Sequence, residues 1–296
     1  MGEPNTVEHR SGVFAATRRL TELPLLPVVV VELLRLDARS DELFEHVVAL
    51  VQRDPGFAAR VVGSANAAVH AARTPLRHTR DAVARLGARP TVNLVITSAM
   101  TTIFLPRAGA LWCHALQVAE LARALAAQAR GDGEEAYLAG LLHDLGRFIL
   151  YLDDPSAADI HATRLTSEEL ARIERTRYGI THTELGHEAA ARWRLPDAID
   201  EAIREHHASS APILSTARTL DAVRAADAAS RAVGVEDAWL DMPDDALRDC
   251  LRGQRALERL WTDRSLQLLR AAFAQARVAA IDLGIAGRWR GGRRVC

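Results

Sequence analysis

The stretch Leu138-Ala139-Gly140-Leu141-Leu142-His143-Asp144-Leu145-Gly146-Arg147-Phe148-Ile149 sets polar residues inside an otherwise apolar run. Helical spacing places Leu138, Leu141, Leu142, Leu145 and Ile149 on one stripe. The pattern predicts one very apolar helix from about Glu134 to Leu152, with His143, Asp144 and Arg147 on its other side. A helix this apolar is expected to be buried nearly all round, so the His143-Asp144 pair faces an internal site rather than bulk water.

Working outward, five histidines and two aspartates fall into one pattern: His114, His143, His182, His206, His207, Asp144 and Asp227. His114 shares the apolar stripe of Leu111 and Val118. Asp227 follows Val223 by four and Leu220 by seven, again on an inward stripe. A carboxylate buried without a partner is expensive, so a metal ion or a buried cation is expected beside Asp227. His206 follows Ile199, Ala202 and Ile203 at helical spacing, and His207 follows Ile203 by four. Adjacent helical residues diverge by about 100°, so this pair can reach two neighbouring ions, or one ion and a substrate group. His182 lies in a first helical turn, where the dipole favours the neutral, ligating imidazole. A single histidine on an apolar face is more often a satisfied core residue. Seven inward ligand types spread over five helices point instead to a metal site. Nitrogen and carboxylate ligands without cysteine suit Mn, Fe, Mg or Zn, and two-metal sites of this kind support phosphoester hydrolysis.

The surrounding pattern is helical throughout, with no useful strand-like alternation and no internal repeat. Ser40 reads as the N-cap of a helix carrying Leu43, Phe44, Val47, Val48 and Val51. Asp54-Pro55 opens the next helix, in which Phe57, Val61 and Val62 face inward. Gly87 stops a helix holding Ala82, Val83 and Leu86, and a longer one follows from Val92 to Ile103. Thr166 with Glu169, and Thr181 with Glu184, have capping-box spacing. Pro196 falls in the first turn of another helix, and a helix over 220–233 ends at Gly234. Two further amphipathic helices, with Leu247, Leu251, Leu257, Leu260 and Trp261, then Leu266, Leu269 and Phe273, fill 236–283. The expected organisation is a loose leader over 1–21, a main domain over 22–235, a helical extension over 236–283 and a basic tail over 284–296. Pro106 and Gly109 divide the main domain into parts 22–105 and 106–235.

Composition narrows the classes. Hydrophobic residues form 49% of 296, enough for a large core. The net charge of −1 argues against a nucleic-acid-coating protein, and the arginine-rich tail reads as a solvated end. All 37 basic residues are arginine, which excludes Schiff-base and P-loop lysine chemistry. Three scattered cysteines fit a reducing compartment. The first twenty residues hold charges and no long apolar run, and the run Leu25–Val31 is far short of the roughly 20 residues of a membrane span. A cytoplasmic location without membrane contact is expected.

The H…HD…D pattern of His114, His143-Asp144 and Asp227 resembles the HD superfamily, and more closely its HDOD family. The resemblance is carried by Leu23-Pro24-Leu25-Leu26-Pro27, by 53–61 with Ala65-Asn66, and by 81–87. Leu111-Trp112-Cys113-His114, 139–146, 193–196 and His206-His207 complete it. It implies an all-α fold, an N-terminal helical lobe packed on an HD-like lobe, and a bacterial signalling or regulatory role through protein contacts. His182, His206 and His207 correspond to extra metal positions in the related HD-GYP phosphodiesterases. Two departures stand out. After His206-His207 comes Ala208-Ser209-Ser210-Ala211-Pro212, without Gly-Tyr-Pro, and Arg147 stands where those enzymes carry lysine. Arginine can still hold a phosphate, but with a different fork geometry. The expected function is a signalling protein with a retained divalent-metal constellation. The alternative is a metal-dependent phosphohydrolase acting on a nucleotide or cyclic dinucleotide, with Asp144 and Arg147 as catalytic candidates.

Overall fold

The side chains of Asp54, Asp132, Thr166, Thr181 and Thr262 cap helix starts, and Pro27 and Pro196 stand at two others. The computed structural model describes residues 26–67, 75–104, 108–154, 156–157, 165–208, 218–234, 239–252 and 262–285. All regular structure among them is helical, which is the all-α class expected. The leader 1–21, most of the opening motif, Ser209–Pro212, Leu257, Leu260, Trp261 and the tail beyond 285 lie outside the described residues.

The chain divides into two compact units, one over Pro24–Ile103 and a second from Phe104 onward. The first contains α1 (Val28–Leu33), α2 (Leu43–Gln52), α3 (Pro55–Asn66), α4 (Thr79–Leu86) and most of α5 (Ala88–Phe104). Asp54 caps α3 by accepting from the Gly56 and Phe57 N–H groups, with Pro55 in the first turn. Helix α2 starts two residues later than expected, with Glu42 rather than Ser40 at its N-cap. The Ser40 hydroxyl accepts from Glu42 N–H, in a turn that precedes α2. Val30, Val47, Val51, Val61, Ala82 and Val83 fill this unit's interior, while Phe57 and Val62 are only partly covered.

The second unit is built around α6 (Gly109–Gln128), which is buried on most of its surface. Helices α7 (Gly133–Leu142), α12 (Thr219–Val233) and α14 (Asp263–Asp282) pack directly on it. Helices α8 (Leu145–Asp153), α9 (Ser167–Tyr178), α10 (His182–Trp193) and α11 (Asp197–Glu205) complete the layer that carries the histidines. Both capping boxes form, Thr166 with Glu169 on α9 and Thr181 with Glu184 on α10. Pro196 is the N-cap of α11 rather than a first-turn residue. In the extension, α13 (Asp244–Arg252) packs on α12, and Trp239 meets the Phe273 ring edge-on at 5.5 Å.

The largest departure from the sequence reading lies at the deciding stretch. The single helix expected over 134–152 is two helices, α7 and α8, broken at His143-Asp144. Asp144 takes φ −98° and ψ 24°, outside the helical region, and its carbonyl starts α8 by accepting from Arg147 N–H at 2.9 Å. A straight helix would direct adjacent side chains about 100° apart. The break lets both enter one interior site.

Candidate metal centre

The candidate side chains come together from five places: His114 on α6, His143-Asp144 at the α7–α8 break, His182 at the start of α10, His206-His207 just past α11, and Asp227 on α12. Asp144 is fully buried, and His114, His143, His182, His206 and Asp227 are buried as well. His207 is half-buried at the edge.

The two Asp144 oxygens serve two groups. Oδ2 lies 3.7 Å from His114 Nε2 and 3.4 Å from His143 Nε2. On this side Asp227 Oδ1 stands 3.2 Å from His114 Nε2 and 3.8 Å from His143 Nε2. Oδ1 of Asp144 faces the other way, 3.4 Å from His206 Nε2 and 3.7 Å from His182 Nε2. His182, His206 and His207 offer ligand atoms within 4.8 Å of one another, as do His114, His143 and Asp144. All seven residues singled out in the sequence are thus brought together.

The other ring nitrogens explain the orientation. His143 Nδ1 donates to the Gly140 carbonyl at 2.7 Å, and His206 Nδ1 to the Ala202 and Ile203 carbonyls at 3.1 and 3.0 Å. His114 Nδ1 donates to Ser230 Oγ at 2.9 Å, and the Ser230 hydroxyl in turn donates to Gln117 Oε1 at 2.7 Å. His182 Nδ1 meets the fully buried Glu174 carboxylate at 2.7 Å. Acceptors at Nδ1 fix the proton there and leave the Nε2 lone pairs facing inward. Nε2 of His114, His143 and His206 and Oδ1 of Asp144 are buried without a hydrogen-bonded partner among the described residues. Such orphaned acceptors are costly unless a cation lies among them. Ligand atoms about 2.0–2.2 Å from one ion stand roughly 3.0–3.4 Å apart, close to the spacings here. The donor set therefore fits divalent metal.

At every shifted group but His143, the electrostatics agree with that fit. Burial alone would raise the Asp144 carboxyl, but Arg147, at 2.8 Å from Oδ2, and then His143 hold it well below the usual carboxylate range. Burial likewise opposes ionisation of Asp227, and Arg231, His114 and His143 hold it well below the usual range. Burial pushes His206 down to about 4 and lowers His114. Burial together with His206 and His182 holds His207 well below its ordinary value. For His143, burial is outweighed by Asp144 and Asp227, and its pKa is raised. At the half-buried edge, Arg147 Nη2 stands 3.5 Å from His207 Nε2 and Arg231 Nη1 3.4 Å from His207 Nδ1.

Residues 23–209 match the HDOD domain family. The chain belongs to the HDOD domain family. In solved structures, it resembles an HDOD domain protein of unknown function from Geobacter sulfurreducens, with a TM-score of 0.66 at 24% identity over 92% of this chain and 98% of that one. A Shewanella amazonensis protein, named only provisionally as a phosphohydrolase, gives 0.61 at 24% identity over 92% and 96%. At these identities the likeness is one of fold. Among curated proteins, an uncharacterized Treponema pallidum protein is 26% identical over 64% of this chain and 38% of its own length. Ribonuclease Y of a Nitratiruptor species is 35% identical over 33% of this chain and 14% of its length. The chain thus spans well under half of these relatives. No helix among the described residues is long and apolar enough to cross a membrane.

Glu174, Ser230, Gln117 and Arg231 were not singled out in the sequence. A signal for three of them was present. Glu174 follows Leu170 by four, Ser230 follows Asp227 by three, and Gln117 follows His114 by three, so each continues an inward stripe.

Proposed function

We propose that this HDOD protein is a bacterial signalling or regulatory module that holds divalent metal in the His114, His143, Asp144, Asp227 and His182, His206, His207 groups. The metal would fix the fold of the histidine-bearing unit, and the protein would act through a partner protein. Residues 22–235 would form the HDOD module and 236–283 an extension of it. One observation carries this reading: inward-facing Nε2 atoms converge on both oxygens of a carboxylate, Asp144, that is 0% exposed. Metal bound there would add its binding free energy to folding and would supply Lewis acidity. His114, His143, Asp227 and one Asp144 oxygen would hold one ion. His182, His206, His207 and the other oxygen would hold a second. The identity of the ion, Mn, Fe, Mg or Zn, follows from elemental analysis of protein purified without chelator. A protein free of all four would sink the reading.

Hydrolysis of a nucleotide or cyclic dinucleotide is the second reading. It is favoured by Arg147 and Arg231, whose guanidinium groups flank half-buried His207 and can grip a phosphate. Against it stand the depth of Asp144 and the lack of Gly-Tyr-Pro after His206-His207.

A further inference from the structure

The two donor groups differ in charge. The group of His114, His143, Asp144 and Asp227 contains two carboxylates. The group of His182, His206 and His207 contains none of its own and shares Asp144, whose other oxygen is already paired with Arg147 at 2.8 Å. A dication on three neutral imidazoles and one carboxylate that is shared and already paired with Arg147 is short of counter-charge in a buried site. The Glu174 carboxylate stands directly behind His182. It is 0% exposed, and its oxygens lie 2.9 and 2.7 Å from His182 Nδ1. Oε2 also accepts the His182 backbone N–H at 2.9 Å, at the first residue of α10. That backbone bond alone would make Glu174 a helix cap. A cap, however, is equally well made by a neutral oxygen, and a buried charge costs more.

We propose that Glu174 is a positioning residue for the second cation: it holds the His182 lone pair toward the cluster and adds negative charge to a donor group whose one carboxylate, Asp144, is shared. This rests on the metal-centre reading above. An acceptor carboxylate behind a ligating imidazole raises its basicity and fixes its orientation. The three-histidine group is then completed electrostatically from α9, an element that contributes no ligand to the ion.

The test titrates stripped full-length protein with Mn²⁺ and with Zn²⁺, following stoichiometry by elemental analysis and affinity by calorimetry. Wild type is compared with Glu174→Gln, which keeps the shape and the backbone-capping oxygen but removes the charge. Wild type should take up two ions per chain. Glu174→Gln should retain one at wild-type affinity and bind the other about 10- to 100-fold more weakly. Its metal-free melting temperature should not fall, and Glu174→Asp, which keeps the charge, should bind the second ion more tightly than Glu174→Gln. Equal affinities in wild type and Glu174→Gln, or a single ion in wild type, would overturn the proposal while leaving a metal centre standing. A Glu174→Gln protein that fails to fold without metal assigns Glu174 to capping and overturns it too. Wild type that binds no ion sinks the metal-centre reading itself.

Discussion

Gly146 lies so tightly against His182 that a Cβ on Gly146 would overlap the His182 carbonyl oxygen. The same contact continues to Gly186, one turn along α10. Two glycines at the crossing allow α8 and α10 to approach backbone to backbone, and this brings His182 to the same carboxylate that α8 begins with.

Gly146→Ala should therefore destabilise the protein. Alanine gains about 1 kcal/mol over glycine in helix propensity, but the obstacle here is a backbone carbonyl, not a flexible side-chain end. The clash should win, with a net loss of about 1–3 kcal/mol by urea unfolding. Unchanged or increased stability would show that α8 and α10 do not cross this closely.

Metal-free protein should lose stability on mild acidification. His206 falls from 6.5 to about 4 in the folded state because burial disfavours its charged form. Between those values the unfolded chain binds the extra proton, so the stability present above 6.5 is lost as pH falls. From pH 7 to 5 this amounts to about 2 kcal/mol. His114 and His207 act in the same direction, while His143, with its raised pKa, opposes them. Asp144 and Asp227, held low, add losses only below the ordinary carboxylate range. Urea midpoints at pH 7 and pH 5 decide it; equal midpoints would mean that the neutral burial of His206, His114 and His207 does not outweigh the opposing His143.

Ser230→Ala should weaken the centre from behind. The hydroxyl accepts from His114 Nδ1 and donates to Gln117 Oε1, so alanine strands two buried groups. A cost of about 1–3 kcal/mol in metal-free stability is expected. Affinity for the ion on the Asp227 side should fall about 10- to 100-fold. Calorimetric titration beside wild type would expose a change in neither quantity, which would rule out the Ser230 relay.

The sequence disclosed the candidate ligands better than the residues behind them. His114, His206, His207 and Asp227 are imidazole or charged side chains on apolar stripes, and His143-Asp144 interrupts a very apolar run, so that contrast is visible without coordinates. Ser230 and Gln117 gave a weaker contrast, because small or amide side chains often sit on such stripes. Glu174 looked like part of a solvated helix, since six of the twelve residues of α9 are charged and only Leu170 marks its inward face. The break at His143-Asp144 was hidden for another reason. The flanking leucines keep a helical spacing straight through the break, and the close Gly146–His182 contact beside it is tertiary, which periodicity does not encode.

Asp144 separates the two functional readings. Its carboxylate faces four histidine Nε2 atoms and Arg147, so replacing it removes charge from both donor groups at once. If metal serves the fold, wild type should gain about 2.7 kcal/mol of stability at an ion concentration 100-fold above Kd. Asp144→Asn should lose that gain, and neither protein should cleave phosphodiesters or cyclic dinucleotides. If the centre is catalytic, metal-loaded wild type should turn such a substrate over and Asp144→Asn should not, at modest cost in stability. The first outcome is expected. Asp144 is fully buried, and Arg147 is spent on its Oδ2, leaving that guanidinium only partly available to a phosphate. Melting curves with and without ion, run beside a hydrolysis assay on both proteins, distinguish the cases. Wild-type turnover that vanishes in Asp144→Asn would replace the signalling reading with the phosphohydrolase.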